Sequence, residues 1–154
     1  MRSTRPTRTR RAAAVALGLL AYLLFAPLPS GATTVPSTWK QISTSGRFTC
    51  AIGSNDVAWC WGYGGEGNLG DGSGQSSLTP VPVDTSDQRP STYKRISVGE
   101  NNACAIAMDD TAWCWGYGGD GANGKGSVST ELRPAQVDTD GGRPSTYEIG
   151  RAHV

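Results

Sequence analysis

The stretch Ala58-Trp59-Cys60-Trp61-Gly62-Tyr63-Gly64-Gly65 returns letter for letter as Ala112-Trp113-Cys114-Trp115-Gly116-Tyr117-Gly118-Gly119. The offset is 54 residues, and it holds on both sides without insertion. Upstream, Cys50-Ala51-Ile52 returns as Cys104-Ala105-Ile106, and Thr38-Trp39-Lys40-Gln41-Ile42-Ser43 as Thr92-Tyr93-Lys94-Arg95-Ile96-Ser97. Downstream, Pro80 and Val83-Asp84-Thr85 return as Pro134 and Val137-Asp138-Thr139, and Arg89-Pro90 as Arg143-Pro144. About half of the aligned positions are identical, so the chain is a tandem structural repeat.

Each repeat reads as short strands between turn signals. In the first, strands are expected over Lys40–Ser43, Phe48–Ile52, Val57–Tyr63 and Thr79–Val83. Pro80 and Pro82 place the last at a sheet edge, because proline gives no N–H to a ladder. A glycine-rich loop, Gly64 to Gly74, separates the third from the fourth. No segment after the N-terminus has helical periodicity. Four short strands per unit is the blade pattern of a β-propeller, so the expected fold class is all-β, with two blades of an incomplete propeller.

The cysteines fix a hairpin register. If Cys50 faces Cys60, then Ala51 faces Trp59, Ile52 faces Ala58, and the turn falls at Ser54-Asn55-Asp56. Opposed residues lie about 4.5–5.5 Å apart, within disulfide reach. Cys104 and Cys114 repeat this around Met108-Asp109-Asp110. Zinc is the competing use of four cysteines, but the spacing has no Cys-x2-Cys pair and no useful histidine.

The N-terminus has the order of a secretory signal peptide. Arg2, Arg5, Arg8, Arg10 and Arg11 precede an apolar run from Ala12 to Leu28, and Ser30-Gly31-Ala32 supplies small residues for cleavage after Ala32. An uncleaved anchor is disfavoured, since the run sits at the short limit for a bilayer and Pro27 and Pro29 interrupt it. Residues 1–32 carry five of the 14 basic residues, leaving nine against 13 acidic ones, about −4 for the mature chain. That balance argues against nucleic acid as a partner. No membrane contact is expected beyond the export segment. Export places the cysteines in an oxidising compartment, which favours disulfides.

Catalytic and cofactor signals are weak. Gly62-Tyr63-Gly64-Gly65-Glu66-Gly67 matches G-x-G-x-x-G, as does Gly116 to Gly121, but a dinucleotide site needs a helix there and Asn68-Leu69-Gly70-Asp71-Gly72 reads as a turn. Gly62, Gly64, Gly67, Gly70 and Gly72, with Gly116, Gly118 and Gly121, are therefore structural loop glycines, expected to supply positive φ. Asp71-Gly72-Ser73-Gly74 resembles a calcium turn, yet Lys125 stands at the equivalent of Asp71; Asp138-Thr139-Asp140-Gly141 starts like an EF-hand loop and lacks its later glutamate. His153 is the single histidine, which removes nucleophile–base arrangements. Asp109-Asp110 reads as a solvated turn tip. Trp59, Trp61, Trp113 and Trp115 alternate onto the face opposite the cysteines, and read as core between blades in preference to a sugar-stacking surface. No cofactor and no metal are expected.

Cys50-Ala51-Ile52, Trp59-Cys60-Trp61-Gly62, Gly67-Asn68-Leu69-Gly70-Asp71-Gly72 and Pro80-Val81-Pro82-Val83 together resemble an RCC1-type (regulator of chromosome condensation) repeat. The usual third element is Gly-Gln-Leu-Gly-Asp-Gly, and the first repeat departs from it only at Asn68. The second repeat, Gly121-Ala122-Asn123-Gly124-Lys125-Gly126, departs further. The resemblance implies a propeller of about seven blades in a complete protein. Family members act as protein-interaction platforms: the founder is a nucleotide-exchange factor for a nuclear GTPase, and a bacterial relative inhibits β-lactamases by binding them. The exchange-factor residues do not map onto this chain. The paired cysteines and export signal look like a secreted bacterial branch.

The organisation expected is a signal peptide over 1–32, repeats over 33–90 and 91–147, and a tail over 148–154. Pro144-Ser145-Thr146-Tyr147 opens a third repeat in register with Pro90-Ser91-Thr92-Tyr93. The heptapeptide Glu148–Val154 can be translated from a common sequencing adapter, so it is expected to be an artefact, with the gene continuing and further blades of the same chain following. The expected function is non-enzymatic binding of an unidentified protein or cell-surface component. An envelope or matrix spacer is the first rival. A propeller-based hydrolase or lyase, with its catalytic residues in other blades, is the second.

Overall fold

A computed structural model describes residues 34–140. The expected signal peptide with its cleavage after Ala32, the opening of a third repeat and the tail lie outside the described residues. Eight strands form two antiparallel sheets. The first contains β1 (Trp39–Thr44), β2 (Phe48–Gly53), β3 (Ala58–Gly62) and β4 (Ser77–Pro82), and the second β5 (Tyr93–Val98), β6 (Asn102–Ala107), β7 (Ala112–Gly116) and β8 (Glu131–Gln136). Both sheets run in simple sequence order.

The β2–β3 register is Cys50 opposite Cys60, Ala51 opposite Trp59 and Ile52 opposite Ala58, and it recurs 54 residues later between β6 and β7. Gly53 donates its N–H to the Val57 carbonyl and closes the turn, so β3 begins at Ala58, one residue later than the sequence suggested. β4 begins at Ser77, two residues earlier than expected, because Ser77 pairs with Gly62 across a register shift after Cys60. Its prolines sit on an edge strand, where a missing N–H costs no ladder bond. One three-residue 3-10 turn, Gly119–Gly121, lies in the loop of the second sheet.

Alternation decides how the sheets meet. On β2 and β3, Phe48, Cys50, Ile52, Ala58 and Cys60 share one face, while Ala51 and Trp59 point the other way. The first group belongs to one buried cluster with Tyr93, Ile96, Ala103, Ala105, Ala107 and Trp115 of the second sheet, and Trp113 packs against it. The disulfide face of the first sheet therefore lies on the tryptophan face of the second. Each large apolar side chain fully buried there is worth about 1.5–3 kcal/mol.

Candidate functional site: the glycine-rich loop

The segment whose sequence offered the fullest ligand motif is the loop between β3 and β4. Gly62 ends β3 with φ +104°, and a Cβ there would meet the Arg47 carbonyl oxygen at 2.6 Å and the Phe48 Cα at 2.8 Å. Tyr63 then donates its N–H to the Arg47 carbonyl at 2.9 Å, and the Arg47 guanidinium sits 4.1 Å over the Tyr63 ring. Gly67 donates to the Gly64 carbonyl and Gly70 to the Gly67 carbonyl, so two tight turns follow in succession. No helix follows Gly67, and its φ of +77° is one that L side chains rarely adopt.

These turns fold the loop over the second sheet. Trp115 donates its indole N–H to the Asn68 carbonyl at 3.0 Å, and Asn68 donates its side-chain amide to the Asn101 carbonyl at 2.9 Å. Leu69 and Asn68 are buried. A Cβ on Gly70 would strike the Trp115 indole at 2.8 Å, and one on Gly67 the Glu131 carbonyl oxygen at 2.6 Å. Gly72 lies against the Arg133 guanidinium and donates its N–H to the Leu132 carbonyl at 2.9 Å. Arg133 in turn pairs with Asp84, whose own N–H donates to the Gly70 carbonyl. Of the glycines that invited a phosphate reading, Gly67 is pressed against the neighbouring sheet, as are Gly70 and Gly72 after it, whereas Gly62 and Gly64 are pressed against backbone of the first repeat.

The sequence predicted positive φ for all eight loop glycines. Gly62, Gly67, Gly70, Gly72, Gly116 and Gly121 have it, whereas Gly64 and Gly118 do not. The last two are close-approach positions: a Cβ on Gly64 would overlap the Gln75 carbonyl, and one on Gly118 the Ser129 carbonyl.

The other sequence candidates have local partners. Asp71 accepts from the Ser73 N–H at 3.0 Å and from its hydroxyl, so its carboxylate closes its own turn. Asp109 accepts from Thr111 through the hydroxyl and the N–H, and these bonds, the side-chain one first, hold its carboxyl below the usual range. Asp110 pairs with Lys94. Among the described residues no three His, Cys, Asp or Glu side chains gather as metal ligands. Disulfides join Cys50 to Cys60 and Cys104 to Cys114, with Cα atoms 4.1 Å apart in each pair.

The four tryptophans divide. Trp113 and Trp115 lie between the sheets. Trp59 and Trp61 face away on the first sheet, where Trp59 is buried and Trp61 stacks at a tilt on Trp39, centroids 5.8 Å apart.

Sequence reasoning missed the polar side of the joint. Gln41 donates its amide to the Ile96 carbonyl at 2.7 Å and accepts from the Ile96 N–H. The Ser43 hydroxyl accepts from the Val98 N–H, and Arg89 donates to the Pro134 carbonyl. Burial pushes the Tyr93 phenol up. The repetition of Asp84 as Asp138 was a usable signal; Arg133 gave none, because Thr79 occupies its place in the first repeat.

Comparison with known proteins agrees with this geometry. Residues 55–106 match the sequence model of the regulator of chromosome condensation (RCC1) repeat, a frame that runs from the β2–β3 turn into β6 and so straddles the joint. The chain is 29% identical over 132 residues to the Arabidopsis thaliana ultraviolet-B receptor UVR8, covering 85% of this chain and 29% of the receptor. It is 30% identical over 102 residues to the mitochondrial RCC1 domain-containing protein RUG3 of the same plant, covering 66% of this chain and 22% of that protein. The chain thus spans under a third of each. Among solved structures, human WBSCR16 superposes with a TM-score of 0.58 at 20% identity, over 70% of this chain and 29% of that one. Prp20p from Saccharomyces cerevisiae superposes with a TM-score of 0.57 at 17% identity, over 71% and 28%. At such identities the structures speak for the fold alone. With the repeat, the loop glycines and the sheet-to-sheet joint in agreement, residues 55–106 match an RCC1 repeat, and the two sheets share the fold of RCC1-type relatives.

Proposed function

We propose that this chain is an exported, non-enzymatic RCC1-repeat scaffold that binds another protein or a cell-surface component. One observation carries the reading: the loop with the best ligand motif spends its backbone and side chains on the second sheet. Asn68, Gly70 and Gly72 each meet a residue of that sheet or of the turn leading into it. A rigid stack of sheets then leaves exposed turns and edges as the variable surface. Relatives support binding as the general role. Prp20p was described with its binding properties to Gsp1p and histones, and yeast RCC1 was crystallised bound to Kap60. The export reading rests on the order of basic, apolar and small residues over 1–32, and two disulfides suit it. The secreted bacterial branch is the part of the family that this combination favours.

The test has two parts. Expression with the native N-terminus should release a chain beginning at Thr33, read by N-terminal sequencing. The released protein, immobilised, should retain a saturable partner from the surface fraction of its own organism. Retention in the cytosol at full length would contradict export. Absence of saturable binding would favour the spacer role.

A further inference from the structure

The loop of the second sheet holds the single Asn-Gly pair of the chain, Asn123-Gly124, where the first repeat has Leu69-Gly70. Asparagine before glycine is the pair most prone to ring closure, because no side chain hinders attack of the glycine nitrogen on the asparagine amide carbon. The other four asparagines precede Asp56, Leu69, Asn102 and Ala103, each with a Cβ in the way. Asn123 is fully buried. Its side-chain amide donates to the Gly116 carbonyl at 3.0 Å, and a longer contact runs to the Ser129 carbonyl at 3.5 Å. The enclosure is tight, since a Cβ on Gly118 would lie 3.0 Å from the amide nitrogen. Gly124 donates its own N–H to the Gly121 carbonyl at 2.9 Å. The nitrogen that would leave and the nitrogen that would attack are thus each tied to a different carbonyl. The side-chain oxygen of Asn123 has no partner among the described residues.

We propose that Asn123 is a self-modification site gated by this loop: it stays an amide while the loop is closed and becomes an acid when the loop opens. In the open loop the Gly124 nitrogen attacks the Asn123 amide carbon. The new C–N bond closes a cyclic imide, the bond to the side-chain nitrogen breaks, and that nitrogen leaves as ammonia with the proton lost from Gly124. Water then opens the imide at either carbonyl, giving aspartate or isoaspartate. An amide and a water become an acid and ammonia, so no oxidant or cofactor is needed. Ring closure requires loss of the Gly124 proton, so its rate rises with pH. The product does not fit the closed loop. An aspartate would set a carboxylate against the Gly116 carbonyl with no donor for its oxygens, and a buried charge without partners is costly. An isoaspartate lengthens the main chain beside Gly124, whose N–H and carbonyl are both engaged, the carbonyl by the Asp138 N–H at 2.8 Å. The modified loop therefore stays open, and a passing excursion becomes a lasting change. These bonds all lie within the second repeat, so whatever covers its outer face slows the opening and leaves the chemistry as it is.

The purified, disulfide-bonded chain is aged at neutral and mildly alkaline pH, both folded and in guanidinium that unfolds it, and position 123 is followed by peptide mapping. The expected result is conversion of the amide to acid, partly as isoaspartate, at least about tenfold slower in the folded chain than in the unfolded one. In the aged folded sample, molecules with an acid at 123 are separated by ion exchange. Their amides over 117–130 should exchange faster than those of unmodified molecules, and Asn123→Asp should show the same faster exchange from the start. Conversion as fast in the folded chain as in the unfolded one overturns the proposal, because the gate is then absent. So does an unfolded chain that keeps its amide at 123. Modified molecules, aged or Asn123→Asp, whose loop exchanges like that of the unmodified chain overturn it as well.

Discussion

At the residue scale, the loop glycines answer to two different demands. Gly70 has φ +66° and lies on the Trp115 indole, so a methyl group there meets both backbone strain and a collision. Gly121 has φ +75° with open space around it, so the same change meets strain alone. Gly70→Ala is expected to cost about 2–4 kcal/mol and Gly121→Ala about 1 kcal/mol, read as denaturant midpoints at constant slope. Asp84 is the second sensitive residue. Burial raises its pKa, but hydrogen bonds from Ser86 and the Arg133 guanidinium outweigh this and hold it below its ordinary value. A carboxyl with a lowered folded pKa contributes stability that is complete above its unfolded pKa and lost as pH falls through the folded one. Stability should therefore decline below about pH 4, and Asp84→Asn should flatten part of that decline. The Arg133 side chain is about half exposed, so the ion pair itself is worth under about 1 kcal/mol. Titrating unfolding free energy against pH in both proteins checks this.

At the element scale, each β2–β3-type hairpin is held by a ladder and a disulfide. The bridged residues are ten apart in both, so removing either bridge by a Cys→Ser pair is expected to cost about 2–3 kcal/mol. Their surroundings differ. Cys50 and Cys60 are fully buried at the joint, while in the second bridge Cys104 is partly exposed and Cys114 is buried. Graded reduction with mass-spectrometric counting of alkylated thiols should open Cys104–Cys114 first. The hairpin register was legible in the sequence because the cysteines and the offset both constrain it. The start of β4 was not, because it depends on a register shift beside Gly62. Gly64 was read as a positive-φ residue and is instead a contact with the Gln75 carbonyl, a tertiary fact that no local pattern encodes. Leu69 is replaced by Asn123, which is equally buried and keeps an unpartnered side-chain oxygen, so the repeat also records where its two loops cease to be equivalent.

At the scale of the whole molecule, the two sheets are coupled by a loop that the sequence alone leaves between ligand site and structural device. Alternation separated the cysteines from the tryptophans. It did not say which of these faces would meet the next sheet, since that follows from the path of the chain between β4 and β5. The central claim is that the loop over 64–74 is the joint between sheets. Hydrogen exchange with mass spectrometry on Gly70→Ala tests it most directly. Prying Gly70 from Trp115 should raise exchange in β6 and β7, far along the sequence from the substitution, while β1 and the β2–β3 turn stay protected. Faster exchange confined to the loop itself, with β6 and β7 unchanged, would contradict the account.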